Sequence, residues 1–159
     1  MGFNKRIYNS PKEFAEDLLF PIRNRKKLQE INRRGLLSPA FRERLMLAVI
    51  SVEGCRYCSF LHSRLALKGG VGLDEIRQLL SGEFSECPED EVIAILYAQH
   101  WAESSARPDP EADQKLMKQY GSEKAQAIHL MLRMIRLGNL LGNTWDYFLY
   151  RITLGKWRR

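Results

Sequence analysis

The chain has 159 residues, of which 45% are hydrophobic and 28% charged, the composition of a globular domain with one core. Lys and Arg number 25 against 19 Asp and Glu, a net charge of +6. The excess basic residues form two clusters: Arg23, Arg25, Lys26, Lys27, Arg33 and Arg34, then Arg151, Lys156, Arg158 and Arg159. Such clusters can bind phosphate backbones, but without interleaved aromatic residues or a recognition motif they indicate solvated helix faces, which argues against nucleic acid as a partner.

The start of the chain and its apolar stretches predict a cytoplasmic protein. Lys5 and Arg6 are followed by polar residues, whereas a secretory signal would continue with an apolar core. The longest apolar stretch, residues 45–52, is too short to cross a bilayer. In a reducing compartment, three cysteines favour metal binding or catalysis over a disulfide framework.

Helix signals follow one another through the first half of the chain. The capping box Ser10-Pro11-Lys12-Glu13 predicts a short helix that ends at Phe20-Pro21. Ser38-Pro39 predicts the start of a helix that reaches about Val52. Gly54 separates this helix from another that runs from Cys55 to Lys68.

The second half of the chain is also predicted to be helical. A short helix covers residues 74–80, and acidic residues after Pro88 favour the first turn of the next helix. Residues 104–110 form a loop, Asp109-Pro110 starts a further helix, and Ser122 caps a long one through about Leu141. Residues 125–142 are apolar nearly all round, which predicts burial in a bundle or at a subunit interface. Without any strand-like alternation, the sequence predicts an all-α fold.

Two cysteines and a histidine lie close together in the stretch EGCRYCSFLH, residues 53–62. In a helix that begins at Cys55, the side chains of Cys55, Cys58 and His62 share one face, and His62 follows Cys58 by one turn. Both thiols are then in the first turn, where unpaired backbone amides stabilise a thiolate. The imidazole can accept a thiol proton, so this spacing suits nucleophilic thiol chemistry.

A carboxylate is expected to assist His62, and two compete for that role. Glu43 shares its side of the preceding helix with apolar residues, and a carboxylate in such surroundings suits a proton acceptor that works near neutrality. Glu53 is nearer in sequence, but we expect it to be exposed at the helix break. The alternative role for Glu43 is an ordinary ion pair with one of three arginines: Arg42, Arg44 or Arg64.

A structural zinc site is the alternative interpretation of the same residues. Cys55, Cys58 and His62 supply three of the four ligands that structural zinc requires. The candidates for the fourth ligand, none of which has paired ligand spacing, are Cys87, His100 and His129. We interpret Cys87 as a bystander thiol, and the two histidines, which lie on apolar helix faces, as core residues.

Glu43, the pair Cys55-x-x-Cys58 and His62 resemble the Glu…Cys-x-x-Cys-x-x-x-His signature of the alkylhydroperoxidase D-like branch of the carboxymuconolactone decarboxylase superfamily. The stretch LLSPAFRERLMLAVISVEGCRYCSFLHSRLALKGGV is similar to the core helical pair of that branch. The resemblance covers about residues 30–146 of a single domain over residues 1–159. An extra N-terminal helix at residues 10–20 and the tail lie outside it.

The resemblance implies an all-helical bundle that assembles into trimers or hexamers and reduces hydroperoxides without a metal or cofactor. Cys58 would be the deeper, peroxide-attacking thiol, Cys55 the more exposed resolving thiol, and His62 and Glu43 the proton relay. The disulfide formed in the cycle would be reduced by a lipoyl protein or a thioredoxin-like protein. The alternative is a non-catalytic redox-sensing or interaction protein of the same fold. The resemblance leaves the peroxide and the electron donor open.

Overall fold

The structure, a computed structural model, describes residues 3–157, and within this range every regular element is a helix, which confirms the predicted all-α class. The helices are α1 (Pro11–Arg23), α2 (Arg25–Arg34), α3 (Pro39–Glu53), α4 (Arg56–Lys68), α5 (Leu73–Ser81), α6 (Glu89–Glu103) and α7 (Pro110–Ile152). None of these helices in residues 3–157 combines the length and apolar character needed to span a bilayer. Arg158 and Arg159 of the second basic cluster lie outside the described residues.

Helix α3 forms the centre of the bundle, because it packs against α4, α5, α6 and α7. Its apolar side chains point in all directions and are nearly all buried, among them Leu45, Leu47 and Ile50. Each such side chain contributes roughly 1.5–3 kcal/mol when it leaves water. The polar residues Glu43, Arg44 and Glu53 of α3 are therefore carried into the interior of the protein.

The predicted helix starts are confirmed by their capping hydrogen bonds. Ser10 Oγ accepts the N–H of Glu13 at 3.1 Å, and Ser38 Oγ accepts the N–H of Phe41 at 3.0 Å. Asp109 Oδ1 likewise accepts the N–H of Ala112 at 2.9 Å. Each cap satisfies one of the free amides of a first turn.

Two predicted helix ends are wrong, because both helices continue further along the chain. Helix α1 continues through Pro21 to Arg23, and its buried Asp17 is held by Arg133 and Arg136 of α7. Helix α7 continues from Leu141 to Ile152, and this last part carries the buried residues Asn143 and Asp146. The predicted separation near Ser122 is present as a kink at Gly121, which has φ 73° and ψ 163°.

The basic cluster of residues 23–34 lies mainly on α2 and is exposed, as expected for a solvated helix face. The apolar residues between 125 and 142 are mostly buried within the subunit, including Ile128, Leu132 and Ile135. Exposed apolar side chains occur instead on α4 and on the last turns of α7, for example Phe60, Trp145 and Phe148. Apolar surface therefore remains exposed on α4 and the end of α7, from Leu141 onward, and smaller areas remain exposed on α1 and α6.

Candidate active site

The junction between α3 and α4 positions the site residues. Glu53 is the last residue of α3, Cys55 is the N-cap of α4, and Gly54 between them has φ 69° and ψ 28°. This left-handed conformation is accessible to glycine at little cost, so the chain can reverse within one residue. The reversal places α4 alongside α3, with His62 opposite Glu43.

Glu43 and His62 are in direct contact. Glu43 Oε2 lies 2.7 Å from His62 Nδ1, and the carboxylate is buried at 2% residue exposure. A hydrogen bond from Nδ1–H to the carboxylate leaves Nε2 as the basic nitrogen of the ring. Glu43 Oε1 also accepts from Arg42 Nε at 3.3 Å, so the ion pair considered as an alternative is present together with the His62 contact.

Cys55 and Cys58 are free thiols whose sulfurs lie 2.8 Å apart. The backbone N–H of Cys58 points at Cys55 Sγ over 3.3 Å, so the sulfur of Cys55 caps the first turn of α4. A disulfide would require the sulfurs to approach by only about 0.8 Å more. Cys55 and Cys58 are thus placed to form a disulfide within one helical turn.

The order of burial of the two thiols is the reverse of the expected one. Cys55 is fully buried, whereas Cys58 is 9% exposed, so the expectation that Cys55 is the more exposed thiol is wrong. The reason is the close approach of α7 to Cys55. A Cβ atom added at Gly142 of α7 would lie 2.6 Å from Cys55 Sγ, and one added at Gly138 would lie 3.7 Å from Cys58 Sγ.

Gly138 and Gly142 are functional-site neighbours that the sequence analysis missed. They belong to the repeated stretch LGNLLGN, residues 137–143, in the middle of a helix. Glycine within a helix costs roughly 0.5–1 kcal/mol relative to alanine, so two glycines four residues apart signal that something approaches this face closely. Here the sulfurs of the cysteine pair approach it.

The negative charge of the reduced pair belongs on Cys55. The hydrogen bond shared with Cys58 lowers the pKa of Cys55 to about 7 against the opposing effect of burial, and the N–H of Cys58 adds to this. The same shared hydrogen bond, followed by burial, raises the pKa of Cys58. The pair therefore carries one thiolate near neutral pH, with the remaining proton between the two sulfurs.

Glu53 is buried, and the expectation that it is exposed at the helix break is wrong. Its exposure is 2%, because α7 covers the end of α3 and Asn143 Nδ2 donates to the Glu53 carbonyl oxygen at 2.9 Å. Neither carboxylate oxygen completes a hydrogen bond. Burial raises the pKa of Glu53 to about 7, although the nearby Asn139 amide and Arg136 offset part of that effect.

Asp146 is a second residue that the sequence analysis missed. Its buried carboxylate accepts hydrogen bonds from Tyr57 Oη at 2.8 Å and Trp157 Nε1 at 3.3 Å, and it pairs with Arg56 and Lys5. Burial opposes ionisation, but these partners outweigh it and lower the pKa of Asp146. Asp146 therefore ties the first turn of α4, which holds both cysteines, to α7 and to the two ends of the described chain.

The other candidate ligands lie apart from the cysteine pair. Cys87 is buried, with its pKa raised to about 11 mainly by burial, as expected for an unreactive thiol. His100 pairs with Asp109 at 2.8 Å, and His129 Nε2 lies 3.0 Å from Tyr97 Oη. With side chains 43% and 38% exposed, the two histidines are not core residues, contrary to the interpretation above. Within residues 3–157, no group of three or more His, Cys, Asp or Glu is arranged to hold a metal ion.

The model of the carboxymuconolactone decarboxylase family matches residues 23–103, just over half of the chain. The chain belongs to the carboxymuconolactone decarboxylase family. No curated protein and no solved structure matches it significantly. The span matched by the family includes Glu43, Cys55, Cys58 and His62, whereas α7 and all of α1 before Arg23 lie outside it.

Proposed function

We propose that this member of the carboxymuconolactone decarboxylase family is a thiol-dependent peroxidase of the alkylhydroperoxidase D-like type. The observation that supports this most strongly is the pairing of two contacts at one junction: sulfurs 2.8 Å apart and a buried Glu43–His62 pair at 2.7 Å. His62 follows Cys58 by one turn of α4, so the imidazole and the Cys58 thiol share one face of the helix. A thiol pair next to an imidazole–carboxylate pair suits nucleophilic attack with proton transfer.

In the proposed cycle His62 takes the proton of Cys58, and the sulfur of Cys58 attacks the terminal oxygen of a hydroperoxide. The O–O bond breaks, Cys58 becomes a sulfenic acid, and the alcohol leaves after it takes a proton. Cys55 then attacks Cys58 Sγ, a disulfide forms and water leaves. Two thiols and one hydroperoxide thus give one disulfide, one alcohol and one water, and His62, assisted by Glu43, passes the proton of Cys58 to the alcohol. Cys58 is assigned to the attack because it is the more exposed sulfur.

The disulfide is then reduced by thiol exchange. Because Cys55 is closed to solvent, the incoming thiolate attacks Cys58 and releases Cys55 as the leaving thiolate. A second donor thiol resolves the mixed disulfide and leaves the donor oxidised. Dithiol donors such as a lipoyl protein or a thioredoxin-like protein suit this sequence, and the reducing cytoplasm is the compartment in which the pair would be kept ready.

We also propose that the protein works as a homotrimer or homohexamer. The support in this chain is the apolar surface of α4 and the end of α7. On each of these helices, large apolar side chains close together in the sequence remain exposed. These side chains are Tyr57, Phe60, Leu61, Leu65, Leu141, Trp145, Phe148 and Ile152. Exposed apolar groups concentrated on two packed helices normally mark an association surface.

The test of the activity is peroxide consumption with dihydrolipoamide or reduced thioredoxin as the donor. The wild type should turn over with at least one donor, and Cys58→Ser should abolish turnover. Glu43→Gln should lower the rate about a hundredfold to ten-thousandfold, because general-base catalysis contributes that much. Glu86→Gln is the matched control, since Glu86 is exposed and far along the chain from the site, and its rate should be unchanged.

Each result discriminates between the candidate functions. Turnover no faster than the donor alone would contradict the peroxidase. If the pair were nevertheless oxidised stoichiometrically and reversibly by peroxide, the alternative of a redox-sensing protein with the same fold would be favoured. An unchanged rate in Glu43→Gln would remove Glu43 from the mechanism and leave Cys58 and His62 as the working pair.

A further inference from the structure

A group of polar side chains lies next to the cysteine pair, where α7 packs against the end of α3. It consists of Glu53 at the end of α3 together with Arg136, Asn139 and Asn143 of α7. Asn139 and Asn143 are completely buried, and both side-chain polar atoms of Asn139 lack a hydrogen-bond partner. Buried polar groups are nearly always hydrogen-bonded, so a cluster of unsatisfied ones next to reactive sulfurs requires an explanation.

The carboxyl of Glu53 lacks a full counter-charge. Arg136 Nε is 4.0 Å from Glu53 Oε1, but the two terminal nitrogens of Arg136 bind Glu13 at 3.1 Å and Asp17 at 3.2 Å, both on α1. Arg6, the other cation that acts on Glu53, donates to the carbonyl oxygens of Ala102 and Glu103. The two cations near Glu53, Arg136 and Arg6, thus bind mainly other groups.

The position of Glu53 in its helix also disfavours its charge. Glu53 is the last residue of α3, where the unpaired carbonyl groups give the helix end a partial negative charge. Cys55, two residues later, is the N-cap of α4, where the helix end is partially positive and stabilises a thiolate. Of the two acidic groups on either side of Gly54, the thiol is therefore in the better place for a negative charge.

From this geometry we propose that Glu53 and the thiol pair share one negative charge, which lies more on Cys55 than on Glu53 in the reduced protein and moves fully to Glu53 when the disulfide forms. The inference rests on the proposed function only for the identity of the oxidant. Ionised Glu53 and the thiolate repel each other in the same low-dielectric space, and both sulfurs are affected by charge on Glu53. The charges that face this space from the packed elements are Lys5 and Arg6 of the N-terminal segment and Arg136 of α7.

The proposed charge transfer accounts for the proton and the negative charge in disulfide formation. When the Cys55 thiolate attacks the Cys58 sulfenic acid, the S–S bond forms and hydroxide leaves. The proton that Glu53 gives up converts this hydroxide to water, directly or through solvent. One negative charge is present before the step, on sulfur, and one after it, on the carboxylate. Glu53 then acts as a charge-compensating residue and needs no contact with the peroxide.

The test is a pH titration of the thiolate in reduced wild type, Glu53→Gln and Glu86→Gln, followed by thiolate absorbance and by iodoacetamide labelling of Cys55 and Cys58. Without the charge of Glu53, the thiolate midpoint should fall by about one pH unit, which means about tenfold more thiolate below the midpoint. The Glu86→Gln titration should coincide with that of the wild type. Coincident titrations of Glu53→Gln and wild type would overturn the proposal.

A second measurement uses the unaltered protein and so does not depend on the folding of a variant. The infrared difference spectrum of reduced against oxidised wild type near neutral pH should show a protonated carboxyl band that is lost on oxidation, and Glu53→Gln should lack it. Absence of such a band in the wild type would contradict the charge transfer. Neither measurement needs turnover, so a protein with no peroxidase activity but a shifted midpoint would refute the proposed function and leave this inference standing. An active peroxidase with an unshifted thiolate midpoint would support the proposed function and refute this inference.

Discussion

Replacing Glu53 with glutamine removes one titratable carboxyl from the protein interior and keeps its shape. Burial raises the pKa of this carboxyl from its ordinary 4.5 to about 7 in the folded protein. In the unfolded chain the carboxyl loses its proton at the lower pH, so rising pH favours unfolding throughout the interval between the two values. The contribution of protonated Glu53 to stability is thus complete below pH 4.5 and is lost as the pH rises to about 7.

The size of the effect follows from the difference between the two pKa values. At 1.36 kcal/mol for each unit, the wild type should lose about 3 kcal/mol of unfolding free energy across this interval, and Glu53→Gln should not lose it. The difference is large compared with the total stability of a domain, which is roughly 5–15 kcal/mol. Glu53→Gln should therefore gain stability relative to the wild type as the pH rises.

Urea unfolding of the reduced proteins from about pH 5 to about pH 8, followed by tryptophan fluorescence at one protein concentration, measures this difference. The concentration is fixed because an oligomer is stabilised by its own association. Glu86→Gln serves as the control for removal of an exposed carboxyl and should stay parallel to the wild type. If the stability difference between Glu53→Gln and wild type did not change with pH, the burial argument for Glu53 would be wrong.

Three further predictions concern the cysteine pair and the apolar surface. Peroxide treatment should give an intramolecular Cys55–Cys58 disulfide, seen by intact mass as the loss of two hydrogen atoms without added oxygen; stoichiometric zinc with both thiols protected from alkylation would contradict it. Gly142→Ala should slow disulfide formation measured by thiol labelling, because its Cβ would meet Cys55 Sγ at 2.6 Å, whereas Gly138→Ala, with 3.7 Å to Cys58 Sγ, should react normally and be slightly more stable. Light scattering at micromolar concentration should give a trimeric or hexameric mass that falls in Trp145→Glu, since Trp145 is 54% exposed on the apolar surface; a monomeric wild type would refute this.

The helix starts could be predicted from the sequence because their causes are local. A serine or aspartate cap followed by proline needs no information from the rest of the chain, and Gly54 marks its own turn. The end of α7 could not be predicted in this way. Gly142, Asn143 and Thr144 interrupt the apolar pattern after Leu141, but Asn143 and Asp146 bind Glu53 and Tyr57, which are distant in sequence. Tertiary contacts, and not helix propensity, extend this helix.

In the candidate site, too, some features follow from the local sequence and others depend on tertiary contacts. The common face of Cys55, Cys58 and His62 follows from helical spacing alone, and the resemblance pointed to Glu43. The order of burial depends on where α7 lies, and the spacing of the cysteines contains nothing about that. Glu53 was misplaced for the same reason: a glutamate next to a glycine at a helix end is typically exposed, and only the covering α7 makes it buried.

The two buried carboxyls of α3 have different surroundings, and this difference gives them different roles in the proposed site. Glu43 has an imidazole and a guanidinium as partners, so a proton taken from a thiol by His62 has a carboxylate to interact with. Glu53 has no completed hydrogen bond, because α1 binds both terminal nitrogens of Arg136. Glu43 therefore orients the imidazole of His62, whereas Glu53, whose pKa is raised by burial, is the carboxyl of α3 that can hold a proton. Asn139, Asn143 and Arg136 of α7, and the α1 residues that bind Arg136, lie outside the span matched by the family, whereas Glu43, Cys55, Cys58 and His62 lie inside it, so the surroundings proposed to tune Cys55 come from a part of the chain that the match does not cover.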